Sequence, residues 1–412
     1  MTKNALRVLI IVFLIKLAFA LLPSFEVDMG AWLAWASRLT QIGTANFYSD
    51  SVWTQYTPGF LYWLWFIGNL GWIHPLAIKI PVIIADILTG WLIWQVVRKV
   101  NLRWASLVAI LYVLNPVIIF DGSVWGQIDG IMTFFMFLSA YLLIERKNSY
   151  WSWMMAGVAM LMKPQAMAIV PLLALITLIR YGWKKLIVSG CLGILVVVIG
   201  FYPFYPTNPV LGIFELLQKM GVSYSYTSLF AFNWWSWVGM WKPDNTLWGG
   251  ITFFGWGTMG MLLAYGAIVG KYRNQLRHNA TVYLLLALAC FIFFLFPTRV
   301  HERYLFPMFA YLITYTGLRQ QKSLLWIVGI TSAIYLANLY LPYSYYEQTT
   351  NILKNEGLQN LIERFAPVMA ALLTIVFGIL TFWEELSAKF GYFQVGKRRK
   401  KKSQYLTGRG NP

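Results

Sequence analysis

Apolar runs dominate this chain, and they recur at lengths near the roughly 20 residues that a helix needs to cross a bilayer. The first covers Leu6 to Leu22. It reads as a retained helix, because Leu21-Leu-Pro-Ser-Phe-Glu26 has no small-x-small cleavage pattern. Further runs cover 77–97, 104–120, 129–145, 150–163, 166–181, 185–205, 249–270, 279–297, 304–318, 323–342 and 366–386. Between the first two runs the pattern changes. Residues 28–42 alternate as an amphipathic, Trp-rich helix and 43–52 are turn-forming; Tyr56-Thr-Pro-Gly-Phe-Leu-Tyr-Trp-Leu-Trp-Phe66 is then apolar for too few residues to cross. That last segment is expected to be a juxtamembrane or re-entrant helix. The pattern therefore predicts an all-α polytopic membrane protein with about 12 transmembrane helices plus juxtamembrane helices in the first outer loop. Residues 1–386 form one transmembrane domain and 387–412 a basic tail.

Charge orients these elements. Basic residues gather in the short breaks at Arg98/Lys99/Arg103, Arg146/Lys147, Arg180/Lys184/Lys185, Lys271/Arg273/Arg277 and Arg319/Lys322, and in Lys397-Arg-Arg-Lys-Lys-Lys402. By the positive-inside rule these breaks and both termini are cytoplasmic, and the loops 23–76, 206–248 and 343–365 are outside. A crossing over 58–72 would invert every later loop and put the basic clusters outside. Composition agrees with this class: 59% of residues are hydrophobic, 18% aromatic and 12% charged, too little polar surface for a soluble globule. The net charge of +18 follows from the inner loops and does not call for nucleic acid. Cys191 and Cys290 fall inside apolar runs, which supports neither a disulfide framework nor a thiolate metal site.

With only 15 acidic residues in the chain, acids on the sparsely basic outer side are candidates for chemistry. Glu26 and Asp28 open the amphipathic helix, where Asp28 also fits an N-cap. Asn115-Pro-Val-Ile-Ile-Phe-Asp121-Gly-Ser-Val-Trp125-Gly-Gln127-Ile-Asp129-Gly130 is an irregular polar turn at membrane depth, tolerated only where it is buried in protein or faces a watery cavity. Lys163-Pro-Gln165 puts a lysine and an amide at another outer turn, suited to a phosphate or carboxylate. Phe296-Pro-Thr-Arg299-Val-His301-Glu-Arg303-Tyr304 brings two guanidiniums beside an imidazole, a pattern that suits an anion clamp. The outer loop 206–248, with Asn233-Trp-Trp-Ser-Trp237 and Trp241, fits an interfacial aromatic belt or a sugar-stacking surface. Together these segments describe an outward cavity with carboxylates on one side and cations on the other, the arrangement of a general base facing a phosphate leaving group. No Gly-rich phosphate loop, HExxH or cysteine-zinc spacing is present.

In this order, Asp28, Tyr56-Thr-Pro58, Trp125-Gly-Gln-Ile-Asp129, Lys163-Pro-Gln165 and His301-Glu-Arg-Tyr304 resemble the GT-C superfamily of integral-membrane glycosyltransferases, above all its polyprenyl-phosphate-mannose-dependent mannosyltransferases. The resemblance implies transfer of a hexose, mannose first, from a polyprenyl-phosphate carrier to a lipid-linked or glycan acceptor hydroxyl of the cell envelope, with inversion, on the extracytoplasmic face. Under it Asp28 is the base, with Glu26 as a companion acid. His301 and Arg303, with Arg299 and Lys163 as further candidates, hold the carrier phosphate. Gln127 and Asp129 orient hydroxyls, and Tyr56, Trp125, Gln165 and Tyr304 complete the site. It implies no metal and no cofactor. Membrane lipids, the lipid donor and the acceptor are the expected partners, and nucleic acid is not. A transporter or flippase of lipid-linked saccharides is the competing class, since it also needs an outward polar cavity. It is disfavoured by the absence of an inverted repeat and by polar motifs at the outer ends of the spans; Asp86, within a span and with Lys16 as a candidate partner, points the other way.

Overall fold

The computed structural model describes residues 3–49, 52, 54, 56–346 and 352–389; the basic run Lys397–Lys402 lies outside them. The chain is built of helices, with a few two-residue strands in the connections between them. In order these are α1 (Lys3–Ala20), α2 (Glu26–Ile42), α3 (Pro58–Asn69), α4 (Pro75–Val97), α5 (Leu102–Val113), α6 (Pro116–Ile119), α7 (Asp129–Ile144), α8 (Ser149–Met162), α9 (Val170–Tyr181), α10 (Trp183–Phe201), α11 (Pro209–Ser223), α12 (Phe253–Tyr272), α13 (Asn279–Leu295), α14 (Met308–Arg319), α15 (Lys322–Tyr346), α16 (Glu356–Thr381) and α17 (Trp383–Lys389). A wide π-helical turn, Phe120–Trp125, continues α6, and a 3-10 turn, Pro164–Ile169, leads into α9.

Local chemistry explains where these helices begin. Proline occupies the first turn of α3, α4, α6 and α11, where its missing N–H costs nothing. The side chains of Asn101, Asn148, Asn208, Thr252 and Asn355 accept from free N–H groups at the starts of α5, α8, α11, α12 and α16. Asp28 and Asp129 do not serve in this way. Phe25 and Ile128 are the capping residues of α2 and α7, and neither has a side-chain cap bond.

Among the described residues, six helical segments are long and apolar enough to cross a membrane: Pro75–Val97, Pro164–Tyr181, Trp183–Phe201, Phe253–Gln275, Lys322–Tyr346 and Glu356–Thr381. Leu102–Val113 with Pro116–Trp125 makes a seventh if this pair, bent by 43°, is one span. The chain is an integral, multi-pass membrane protein. The expected runs at 129–145 and 279–297 are the shorter apolar helices α7 and α13. Two expected boundaries move: 104–120 is broken at Asn115-Pro116, and the expected outer loop 343–365 loses its ends to α15 and α16.

α3 has only 12 residues and would reach about 18 Å at 1.5 Å per residue, well short of a bilayer core. It is held against its neighbours by backbone contact. A Cβ on Gly59 would lie 2.4 Å from the Leu161 carbonyl oxygen on α8, and one on Gly68 would lie 2.7 Å from that of Ala36 on α2. A short parallel pair, Ser228–Leu229 with Val300–His301, fixes the 206–248 loop beside the His301 segment.

Candidate active site

The start of α2 is positioned by Trp125. The Phe25 N–H donates to the Trp125 carbonyl at 3.2 Å, the two rings lie 4.5 Å apart, and the Trp125 indole N–H donates to Asp28 Oδ2 at 2.8 Å. The Gln127 amide donates to the same oxygen at 2.5 Å. Gln127 is oriented in turn: its Oε1 accepts from Lys163 Nζ at 2.8 Å and lies 3.4 Å from the Tyr56 hydroxyl. Lys163 also pairs with Asp129 at 2.9 Å, both side chains being buried. The order Asp28, Gln127, Lys163, Asp129 is thus one hydrogen-bonded chain, in which the Asp28 carboxylate is fixed by partners that are themselves fixed. Both donors to Asp28 go to Oδ2; Oδ1 receives none from the described residues.

A cavity of about 300 Å³ opens in front of Asp28. Asp28, Trp32 and Trp35 line one wall with Tyr56, and Tyr224, Phe230, Trp241, His301, Glu302, Arg303 and Tyr346 contribute to the remainder. Tyr56 is wedged against Trp32 and Trp35, with ring centroids at 4.5 and 5.6 Å. Burial pushes its hydroxyl pKa up, so it is a neutral hydrogen-bonding group.

The cationic side is Arg303. Its Nη1 donates to Glu302 Oε1 at 2.9 Å, while its Nε is buried without a hydrogen-bond partner. Arg303 also lines the cavity, so the guanidinium supplies positive charge at its wall. Burial disfavours the charge of Arg303, but Tyr56, Glu302, Asp28 and Asp129 favour it and win. His301 is different. Burial and the neighbouring Arg303 push its pKa below the usual value, so the imidazole is neutral at neutral pH. Burial pushes the Glu302 carboxyl up, but His301 and Arg303 more than offset this and hold it below its usual range.

Of the residues singled out in the sequence, Asp28, Tyr56, His301 and Arg303 line the cavity. Trp125, Gln127, Asp129 and Lys163 stand behind Asp28. Gln165 lies against Tyr304, which stacks on Phe293 at 6.2 Å and flanks His301 at 5.5 Å. Glu26 does not line the cavity; two residues from Asp28 on a helix, it projects about 200° away around the axis. Arg299 turns elsewhere. Its Nε and Nη2 clasp both oxygens of the buried Asp244 at 2.7 and 3.1 Å, Nη1 donates to the Gly221 carbonyl, and Phe254 covers its face at 4.5 Å.

Sequence reasoning missed Glu302, Trp32, Trp35, Tyr224 and Tyr346. Trp32 and Trp35 were visible in principle, since 28, 32 and 35 share one helical face. Tyr224 and Tyr346 had no such signal. Among the described residues no group of three or more His, Cys, Asp and Glu side chains is arranged to hold a metal ion.

The family model described as dolichyl-phosphate-mannose-protein mannosyltransferase matches residues 55–208. Two crystal structures of ArnT from Cupriavidus metallidurans are similar over nearly the whole chain. The one bound to undecaprenyl phosphate has 14% identity and a TM-score of 0.54, covering 96% of this chain and 80% of that one. The apo state has 13% identity and a TM-score of 0.52, covering 91% and 76%. The chain has the fold of the GT-C membrane glycosyltransferases. The resemblance read from the motifs thus agrees with the GT-C architecture, and residues 55–208 include Tyr56, Gln127, Asp129 and Lys163. No curated protein matches the chain by sequence.

Proposed function

We propose that this protein is an inverting membrane glycosyltransferase that takes a sugar, mannose or another hexose, from a polyprenyl-phosphate donor and places it on a hydroxyl of a lipid-linked or glycan acceptor. One observation carries the reading: a carboxylate held through one oxygen and a buried guanidinium line a single cavity. The family model over 55–208 and the undecaprenyl phosphate bound by the similar ArnT support a lipid-phosphate donor.

Asp28 Oδ1 takes the proton of the acceptor hydroxyl as its oxygen attacks the anomeric carbon. The bond from that carbon to the phosphate oxygen breaks, and the polyprenyl phosphate leaves with the electron pair. Arg303 stabilises the charge that develops on the phosphate, with His301 as a neutral hydrogen-bonding neighbour. Inversion follows from a single in-line displacement. The aromatic wall of Trp32, Trp35 and Tyr56 offers flat apolar faces for a sugar ring. Trp125, Gln127, Lys163 and Asp129 keep Asp28 in place, and Gln165 and Tyr304 support the His301 side. The positive-inside distribution puts the cavity on the extracytoplasmic face, both termini in the cytoplasm, and about twelve crossings between them.

The test is transfer of label from purified polyprenyl-phospho-mannose, and from other polyprenyl-phospho-hexoses, to a lipid-extract acceptor pool. Asp28→Asn preserves the hydrogen-bonding shape and removes the base, and should lower kcat by about 10²–10⁴. Equal transfer by Asp28→Asn would rule out Asp28 as the base.

A further inference from the structure

Lys16 on α1 and Asp86 on α4 are both fully buried and pair at 2.7 Å, and Lys16 Nζ lies 3.4 Å from the Ile118 carbonyl oxygen. Neither lines the cavity. A buried ion pair brings little net stability after desolvation, so its place in the bundle has to be explained by what it touches. Asp86 touches two glycines. A Cβ on Gly122 would lie 3.2 Å from its Oδ2, and a Cβ on Gly130 would lie 2.5 Å from its Oδ1. Gly122 is in the π-helical turn and Gly130 in the first turn of α7, so the Asp86 carboxylate is packed against both ends of the segment carrying Trp125, Gln127 and Asp129.

That segment needs an external template. It leaves the α-helical path through a π turn, which leaves fewer regular hydrogen bonds to define its shape, and then passes Gly126 at φ +88°. Trp125 and Gln127 supply both hydrogen bonds to Asp28. A shift of the segment therefore moves the base. Lys16 in turn fixes the Asp86 carboxylate and the Ile118 carbonyl, joining α1, α4 and α6 at one point.

We propose that the Lys16–Asp86 pair is a positioning device for the base, which sets the Trp125–Asp129 segment, and through it Asp28, by clamping Gly122 and Gly130 from below. The catalytic meaning of this inference rests on the glycosyltransferase reading; its geometric content does not.

The experiment uses the full chain in lipid nanodiscs with Asp86→Asn, Gly130→Ala and the apolar double variant Lys16→Met/Asp86→Leu. The first readout is the indole N–H resonance of Trp125, assigned by its loss in Trp125→Phe and calibrated by Asp28→Asn, which weakens its acceptor. The second is steady-state transfer. All three variants should move the Trp125 resonance toward its Asp28→Asn position. They should lower kcat by about tenfold or more with the donor KM within about threefold. A buried pair replaced by apolar residues commonly keeps or gains stability, so the double variant separates positioning from folding. If it melts at or above the wild-type temperature and retains both the resonance and kcat, the pair is only structural and the proposal is overturned. If Asp86→Asn does not fold, Gly130→Ala and the double variant decide between the two outcomes. If wild type transfers no sugar from any polyprenyl-phospho-sugar, the assigned reaction fails, and the Trp125 resonance still decides the clamp.

Discussion

Arg299 and Arg303 lie four residues apart on one short connection between α13 and α14, yet they belong to different parts of the molecule. Arg299 has the positive φ of 63°, which turns its side chain away from the cavity and onto Asp244, where Thr298 Oγ1 also donates at 2.8 Å. Its N–H bonds the Tyr226 carbonyl at 2.9 Å, so this half of the loop fastens the 206–248 segment. Arg303 follows the β pairing of His301, lies within the 3-10 turn Glu302–Leu305, and lines the same cavity as Asp28. Chemical type and spacing were the same for both. What separates them is how fully each guanidinium is satisfied: the fork of Arg299 has a carboxylate and a carbonyl, whereas Arg303 keeps an open Nε. A guanidinium whose donors are all taken by protein is a fastener, and one left with a free buried donor is a candidate for ligand.

The sharpest way to break this distinction is Arg303→Ala. Loss of the cavity guanidinium should reduce kcat/KM for the polyprenyl-phospho-sugar by about 10²–10³ in the folded fraction, and the buried Glu302 left without its partner should also lower the melting temperature. Transfer kinetics and a thermal unfolding scan on the same preparation would check both parts, and unchanged transfer would remove Arg303 from the phosphate. Arg303→Lys should recover part of the rate, since charge returns without the planar fork.

Asp244→Ala should lower stability without the loss of transfer. It leaves Thr298 and the Arg299 fork without their carboxylate, and the expected cost is about 1–3 kcal/mol of stability, discounted because Arg299 is 28% exposed. The folded fraction should transfer sugar within about threefold of wild type. A large kcat loss with an unchanged melting temperature would make the Arg299 half of the loop part of the site.

The smallest effect belongs to His301. Its pKa is lowered in the folded protein, so the unfolded chain binds this proton more readily. Stability from His301 is therefore full above its ordinary value of 6.5 and falls as pH drops through that value toward the folded one. Melting temperatures measured from pH 8 to pH 5 should decline less steeply in His301→Gln than in wild type. An equal slope would mean that the imidazole is not buried as described.

How much was legible in the sequence differs by type of feature. The apolar helices were, because hydrophobic runs act over a few residues; several of their ends were not, since 104–120 breaks at Asn115-Pro116 and α16 begins at Glu356. The candidates Asp28, Tyr56, His301 and Arg303 were legible because they are polar groups at places where hydrophobic runs stop. The separation of Glu26 from Asp28 followed only once α2 was known to start at Glu26, since the start of a helix decides which side chains share a face. The fate of Arg299 depended on a single positive φ and on Asp244, 55 residues away. The same holds for Lys16 and Asp86, 70 residues apart, which along the chain read only as a candidate pair that points toward transport.

By itself, then, the amino-acid order determined that this is an all-helical membrane protein, which breaks in it are polar, and which residue types stand at each break. Those are consequences of local hydrophobicity and charge. Only the tertiary structure decided that Trp125 and Gln127 hold one oxygen of Asp28, that Arg303 and not Arg299 shares its cavity, and that Lys16 and Asp86 pair beside Gly122 and Gly130. These depend on angstrom-scale distances between segments far apart in the chain, and such distances are set by how helices pack rather than by any pattern along one of them.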